Sequence, residues 1–315
     1  MPALLASLLF LSADTTVWTD PAAAATEEPA FSVQGEYRSD DWGLQVIARG
    51  GDKLEAYLLE GGLPGDGFAK DNARTKLTGV LRKADARLTG DAENLVAEIA
   101  DGVAHVVRDG RKIAELKRVE RKSPTLGAEP PEDAVVLFDG TNADAWKRGK
   151  VEDGLLLNHD VTTKQTFGGY RLHLEFRTPY MPFATGQARG NSGVYHQGRY
   201  ETQVLDSFGL EGKSNETGGI YEIAAPSINA ALPPLAWQTY DVDLTAARFD
   251  EDGNLTAPAR MTVRLNGVLV QDDVAVPRTT RAAPVREVTP DPGPIYLQHH
   301  GNEVRYRNIW LVPKD

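Results

Sequence analysis

The chemistry-bearing side chains of this 315-residue chain concentrate in two strand-like runs. The first, GRYETQVLDSFG from Gly198 to Gly209, carries Glu201, Gln203 and Asp206 and closely follows GNSGVYHQ, which contributes Asn191 and Tyr195. The second, YLQHHGNEVRYRN near the C-terminus, carries Gln298, His299, His300, Arg305 and Arg307. Strand side chains alternate between faces, so Glu201 and Gln203 share one face, as do Gln298 and His300, and Arg305 and Arg307. Asp206 has the opposite nominal parity, but the turn signal Asp-Ser-Phe-Gly could bend it back into the same cleft. Two such strands side by side would line a groove with carboxylate, amide, imidazole and guanidinium groups. That set suits a polyhydroxylated ligand. A carboxylate inside an apolar-alternating strand must face a groove or be paired, which makes Glu201 the first candidate for a base or a metal ligand. Trp146 and Trp237 could stack on sugar rings, although tryptophans of β-rich proteins more often fill cores.

The surrounding sequence is made of short alternating runs separated by Gly-containing turns, with no helical-length apolar stripe, and this predicts an all-β protein. Asp101-Gly102, Asp109-Gly110 and Asn266-Gly267 mark tight hairpins. The organisation read from these signals is a lead over 1–29, a small antiparallel β domain over 30–122, a polar proline-bearing linker over 123–133 and a larger β region over 134–315. LEGGLPGDGFAKDN, Leu59 to Asn72, reads as a glycine-rich loop over one edge of the first domain. The opening MPALLASLLFLSA is a short apolar run with no preceding Lys or Arg, an imperfect signal peptide that points to a secreted or periplasmic protein. It is too short to span a bilayer, so no transmembrane anchor is expected. With 34 basic and 45 acidic residues and a net charge of -11, the chain offers no basic stripe for nucleic acid. The absence of cysteine excludes disulfides, thiol catalysis and thiolate metal sites. No phosphate-binding glycine loop or nucleophile elbow is present.

Six ordered motifs carry a resemblance: VVLFDGTNADAWK at Val135–Lys147, YRLHLEFR at Tyr170–Arg177, GNSGVYHQGRYETQVLDS at Gly190–Ser207, GGIYEIAAPSINAALPPLAWQTYDV at Gly218–Val242, LNG at Leu265–Gly267 and GPIYLQHHGNEVRYRNIWL at Gly293–Leu311. Together they make residues 134–315 similar to the 3-keto-disaccharide hydrolase domain family, itself distantly similar to laminarinase-type glycoside hydrolases. The resemblance implies a concanavalin-like β-sandwich, a jelly roll of two antiparallel sheets, with substrate in its concave face. It also implies action on glycosides oxidised at C3. A C3 ketone acidifies the C2 hydrogen, so a base can remove it and the C1 substituent can leave by elimination, with water able to add afterwards. On this reading Glu201, Asp206, His300 and Arg307 are catalytic, with Arg307 orienting a carboxylate or steadying enolate oxygen. Asn191, Tyr195, Gln203, Gln298 and Arg305 bind the sugar. Glu201, Asp206 and His300 could also hold a divalent ion, calcium or another, although no compact ligand motif selects one. A His-His-Gly run leaves open whether His299 or His300 faces the ligand. A non-catalytic carbohydrate-binding module is the alternative, and a conventional β-glucanase stands third. Gln203 occupies a position where ordinary retaining chemistry would want a further carboxylate. The oligomeric state is not legible.

Overall fold

Alternation of buried and exposed residues marks many of the strands, as in Ala259–Leu265, where Ala259, Met261, Val263 and Leu265 are buried and Arg260 and Arg264 are not. The computed structural model describes residues 16–91 and 94–314. It is all-β with antiparallel sheets, and the expected tight turns are in place. Asn266 and Gly267, at φ 52° and 79°, join the paired residues Leu265 and Val268. Both turn residues therefore lie in the left-handed region that a two-residue hairpin of this hand requires.

The N-terminal region is a closed barrel of eight strands, running from Gly35–Arg38 to Arg111–Val119. Its first strand pairs with both the second and the last: Tyr37 lies opposite Leu44 on one side and Arg118 on the other. This corrects the expectation of one jelly roll preceded by an unspecified β domain. Periodicity marks strands, but closure depends on long-range pairing that alternation does not encode.

Beyond the barrel, two antiparallel sheets of eight and five strands share one apolar core. Leu172, Phe176 and Leu311 of the larger sheet meet Val194, Tyr200, Val204 and Leu297 of the smaller. Within that core His196 hydrogen-bonds the Tyr170 hydroxyl at 3.0 Å and Thr202 Oγ1 at 2.9 Å. Burial pushes its imidazole down to about 3, so it stays neutral.

Two segments expected to be loose are built in. Residues 16–29 include Trp18, paired through its backbone with Tyr180, and a short helix, Pro21–Glu27, capped by Asp20. The signal-peptide reading falls on residues 1–15, outside those described. The presumed linker is a strap across the outer face of the larger sheet. Ser123 Oγ lies 2.6 Å from Thr239 Oγ1, Thr125 Oγ1 donates to Asp241 Oδ2 and the Gly127 amide donates to Glu175 Oε1. The Leu59–Asn72 loop touches both units: the Pro64 carbonyl accepts from Arg121, and Gly65 lies against Val268. Among the described residues no helix is long and apolar enough to cross a membrane.

Candidate active site

On the strand Tyr200–Val204 every residue is buried, yet Glu201 and Gln203 are polar. Tyr200 and Val204 belong to the core between the sheets, so Glu201 and Gln203 face outward from the five-stranded sheet. The antiparallel neighbour Ser192–His196 sets Tyr195 opposite Glu201 and Gly193 opposite Gln203. Loops then roof this face. The result is a cavity of about 320 Å³ lined by Gln187, Asn191, Tyr195, Glu201, Gln203, Tyr221, Arg281, Ala282, Gln298 and His300.

Glu201 is its centre. The Tyr195 hydroxyl lies 2.8 Å from Oε2 and 3.2 Å from the Arg281 carbonyl, and Gln298 Nε2 donates to that hydroxyl at 3.3 Å. A phenol has one proton, so Tyr195 donates to the carboxylate when Glu201 is ionised. When Glu201 is protonated, the acid can donate to Tyr195, which then turns to the carbonyl. With its amide nitrogen turned to Glu201, Gln203 donates to Oε1 at 2.8 Å; turned away, it donates to Asn191 Oδ1 at 3.1 Å. Burial pushes the Glu201 carboxyl up to about 8, with the nearby Glu222 charge acting in the same sense and the Tyr195 hydrogen bond opposing. Burial and the Glu201 charge raise the Tyr195 phenol as well. A Cβ on Gly193 would sit 2.4 Å from Glu201 Oε1, so only glycine leaves the carboxylate its place.

The loop bearing Arg281 is hung from the same strand. Thr280 Oγ1 accepts from the Glu201 amide at 3.0 Å, and the buried Arg199 guanidinium holds the Glu287 and Asp291 carbonyls and Thr289 Oγ1. Among the described residues that line the cavity Arg281 is the one permanent cation, and it pairs with Glu222 at 3.4 Å.

A family model for the 3-keto-alpha-glucoside-1,2-lyase-like domain matches residues 133–312. The chain belongs to this family. A solved structure described as a candidate glycosyl hydrolase from Parabacteroides distasonis ATCC 8503 is 37% identical over 58% of this chain and 85% of its own, with a TM-score of 0.53. A second structure of the same description and source is 22% identical over 58% of this chain and 95% of its own, with a TM-score of 0.41. None of the curated proteins matches. Membership of the 3-keto-alpha-glucoside-1,2-lyase-like family makes the protein a glycoside-cleaving enzyme of the hydrolase or lyase kind.

Six residues singled out from the sequence meet in the cavity: Asn191, Tyr195, Glu201, Gln203, Gln298 and His300. Of the two histidines, His300 lines it, while His299 packs edge-on against His159 at 5.4 Å. Three other residues lie elsewhere. Asp206 is not bent into the cleft: it continues the strand direction, its amide donating to the Arg189 carbonyl, and its carboxylate accepts from Arg189 Nε at 2.6 Å. Arg305 and Arg307 do share a face, but it is the outer face of the larger sheet, because Tyr306 between them turns into the core and reaches Ser192. Arg305 pairs with Glu303 and Glu152, and Arg307 with Glu175 while stacking on Trp237. Trp146 is core, its Nε1 donating to the Leu137 carbonyl.

Of Glu201, Asp206 and His300, the structure brings Glu201 and His300 to the cavity and leaves Asp206 outside it. Asp206 is spent on Arg189, and among the described residues no group of three or more His, Cys, Asp or Glu is placed to hold a metal. Gln187, Tyr221, Arg281 and Ala282, which complete the cavity, lie on connections with no periodic signal. Only the Gly193 in NSGVY hinted at a crowded backbone.

Proposed function

We propose that the protein cleaves 3-keto-glycosides by removing the C2 proton and eliminating the C1 substituent, with the two-sheet unit a concanavalin-like jelly roll presenting the sugar to the outer face of its five-stranded sheet. The observation that carries this is Glu201: a buried carboxyl on the cavity floor, raised to about 8, with no second carboxylate among the described residues that line the cavity. Ordinary glycosidases need two carboxyl groups across the scissile bond, about 5–9.5 Å apart. Elimination next to a ketone needs one base and a group that steadies the enolate.

The steps follow from that arrangement. Ionised Glu201 takes the C2 proton. The C2 electron pair is delocalised into the C3 carbonyl, and the Arg281 guanidinium, the cavity's permanent cation, supports the oxygen that becomes negative. As the enolate collapses, C1=C2 forms, the C1–O bond breaks and the departing oxygen takes a proton from His300 at the exposed mouth. The products are an enone and a free alcohol, and water adding to the enone makes the net reaction hydrolysis. Asn191, Gln203, Gln298 and Gln187 supply paired donors and acceptors for hydroxyls.

The test is product analysis by mass spectrometry with a 3-keto-glucoside and its unoxidised parent, each with the native protein and with Glu201→Gln. Cleavage of the keto-sugar alone, lost in the variant, is expected. Cleavage of the unoxidised parent at a comparable rate would overturn the proposal.

A further inference from the structure

The residues that roof the cavity from one side come from a connection whose other half is embedded in the barrel. The chain leaves the larger sheet at Arg177, runs through TPYMPFATGQARGN and enters the smaller sheet at Ser192. Early in that connection the Tyr180 amide and carbonyl pair with Trp18 at 2.9 and 3.1 Å. Its ring is wholly buried and belongs to the barrel's apolar cluster, 5.5 Å from the Trp18 ring and 5.1 Å from Phe31. Phe183 follows, lying so close over the barrel hairpin at Gly50 that a Cβ there would come within 2.3 Å of its Cδ1. Four residues later Gln187 is in the cavity. Its Nε2 donates to the Asn215 carbonyl at 2.8 Å, its Oε1 accepts from Gln203, and its carbonyl accepts from Asn191 Nδ2 at 2.8 Å.

No described barrel residue lines the cavity. The barrel nevertheless holds one half of a short connection whose other half carries Gln187 and Asn191, and a chain this short transmits the position of one end to the other. We propose that the barrel is a positioning element for the active site: through Tyr180 and Phe183 it fixes the 178–191 connection, and so sets where Gln187 and Asn191 meet the sugar. This rests on the elimination reading only for the substrate used to test it.

The consequence is a specific pattern of coupling. Phe183 is 37% exposed, so Phe183→Ala removes a contact without opening a core. In the full-length protein it should lower kcat/KM for a 3-keto-glucoside about ten-fold, mostly through KM, below the roughly 100-fold that misplacement by 1 Å can cost. Its thermal midpoint should stay near that of the native protein. In a Gln187→Ala background the same substitution should cost clearly less than in the native background, because one of the two groups it positions is gone. Independent, multiplying effects of the two substitutions would overturn the proposal, as would an unchanged KM in Phe183→Ala. Should the native protein turn over no keto-sugar, the elimination reading fails, and hydrogen exchange still decides the coupling. Faster exchange at residues 184–191 in Phe183→Ala supports it, and exchange identical to native sinks it.

Discussion

As the proposed base, Glu201 would have to meet two opposed demands: to be buried deeply enough to be strongly basic, and to be ionised when substrate arrives. Burial raises its carboxyl to about 8, so at neutral pH most molecules hold it protonated, and the fraction able to take a proton grows as the pH rises. The kcat/KM profile of the free enzyme should therefore climb through neutrality, reach half its maximum near pH 8 and level above it. A flat profile between pH 6 and 8 would remove Glu201 from the role of base. Its folded value lies above the ordinary 4.5, so the stability it contributes is full below about 4.5 and is lost as pH rises toward 8. Glu201→Gln should thus lose activity by about 10²–10⁴-fold and yet melt higher than the native protein at pH 9, with no such gain at pH 4. Tyr195 opposes the upward shift by hydrogen-bonding the carboxylate. Tyr195→Phe should accordingly push the rising limb of the profile to higher pH, and a limb that stays in place or moves down would show that the phenol does not stabilise the anion.

At the scale of elements, one strand pair does most of the positioning. Gly193 matters because the neighbouring strand leans a carboxylate over its backbone, with 2.4 Å between Glu201 Oε1 and any added Cβ. Gly193→Ala should displace the carboxylate and reduce kcat by about 10–100-fold, at a stability cost of about 1–3 kcal/mol typical of overpacking. Steady-state kinetics beside urea unfolding would separate the two, and unchanged kinetics would show that Glu201 has room to move. Strand parity made much of this pair legible in the sequence, since period-two alternation puts Glu201 with Gln203 whatever the fold. Parity does not say which face a pair takes. Arg305 and Arg307 share a face as expected, yet Tyr306 claims the core and turns both away from the cavity. Asp206 was misplaced for a related reason, because a turn signal shows that the chain bends but not toward what. Gln187, Tyr221 and Arg281 sit on connections placed by tertiary packing, and barrel closure depends on pairing the first strand with the last. Neither leaves a local pattern to read.

Across the whole molecule, the 123–133 strap is tied to the larger sheet by a polar network. His173, stacked on Trp310, hydrogen-bonds Asp241 at 2.7 Å, and Glu175 accepts from Gly127, Asn308 and Arg307. The strap crosses directly over this network, as the Thr125 and Gly127 bonds show, so the join between the two units depends on carboxylates being ionised. Burial alone would raise the Glu175 carboxyl, but the His173 imidazole 3.8 Å away and the hydrogen bonds from Asn308, Gly127 and Arg307 hold it down at about 2. A depressed carboxyl contributes stability that is present above its ordinary 4.5 and is lost as pH falls toward 2. His173 shifts the other way: its carboxylate partners raise it against the effect of burial, so its contribution is full below 6.5 and fades as pH rises through the raised value. Glu175→Gln keeps the shape and removes the charge, leaving Arg307 and the Gly127 amide facing a weaker acceptor. It should cost about 1–3 kcal/mol at pH 7, and that cost should shrink by pH 3, where the carboxyl of the unfolded chain is already protonated and part of the folded carboxylate's advantage is lost. Urea unfolding of both proteins at the two pH values measures the difference. An equal penalty at pH 7 and pH 3 would mean that the network holds the strap by shape alone and that the charge of Glu175 contributes nothing.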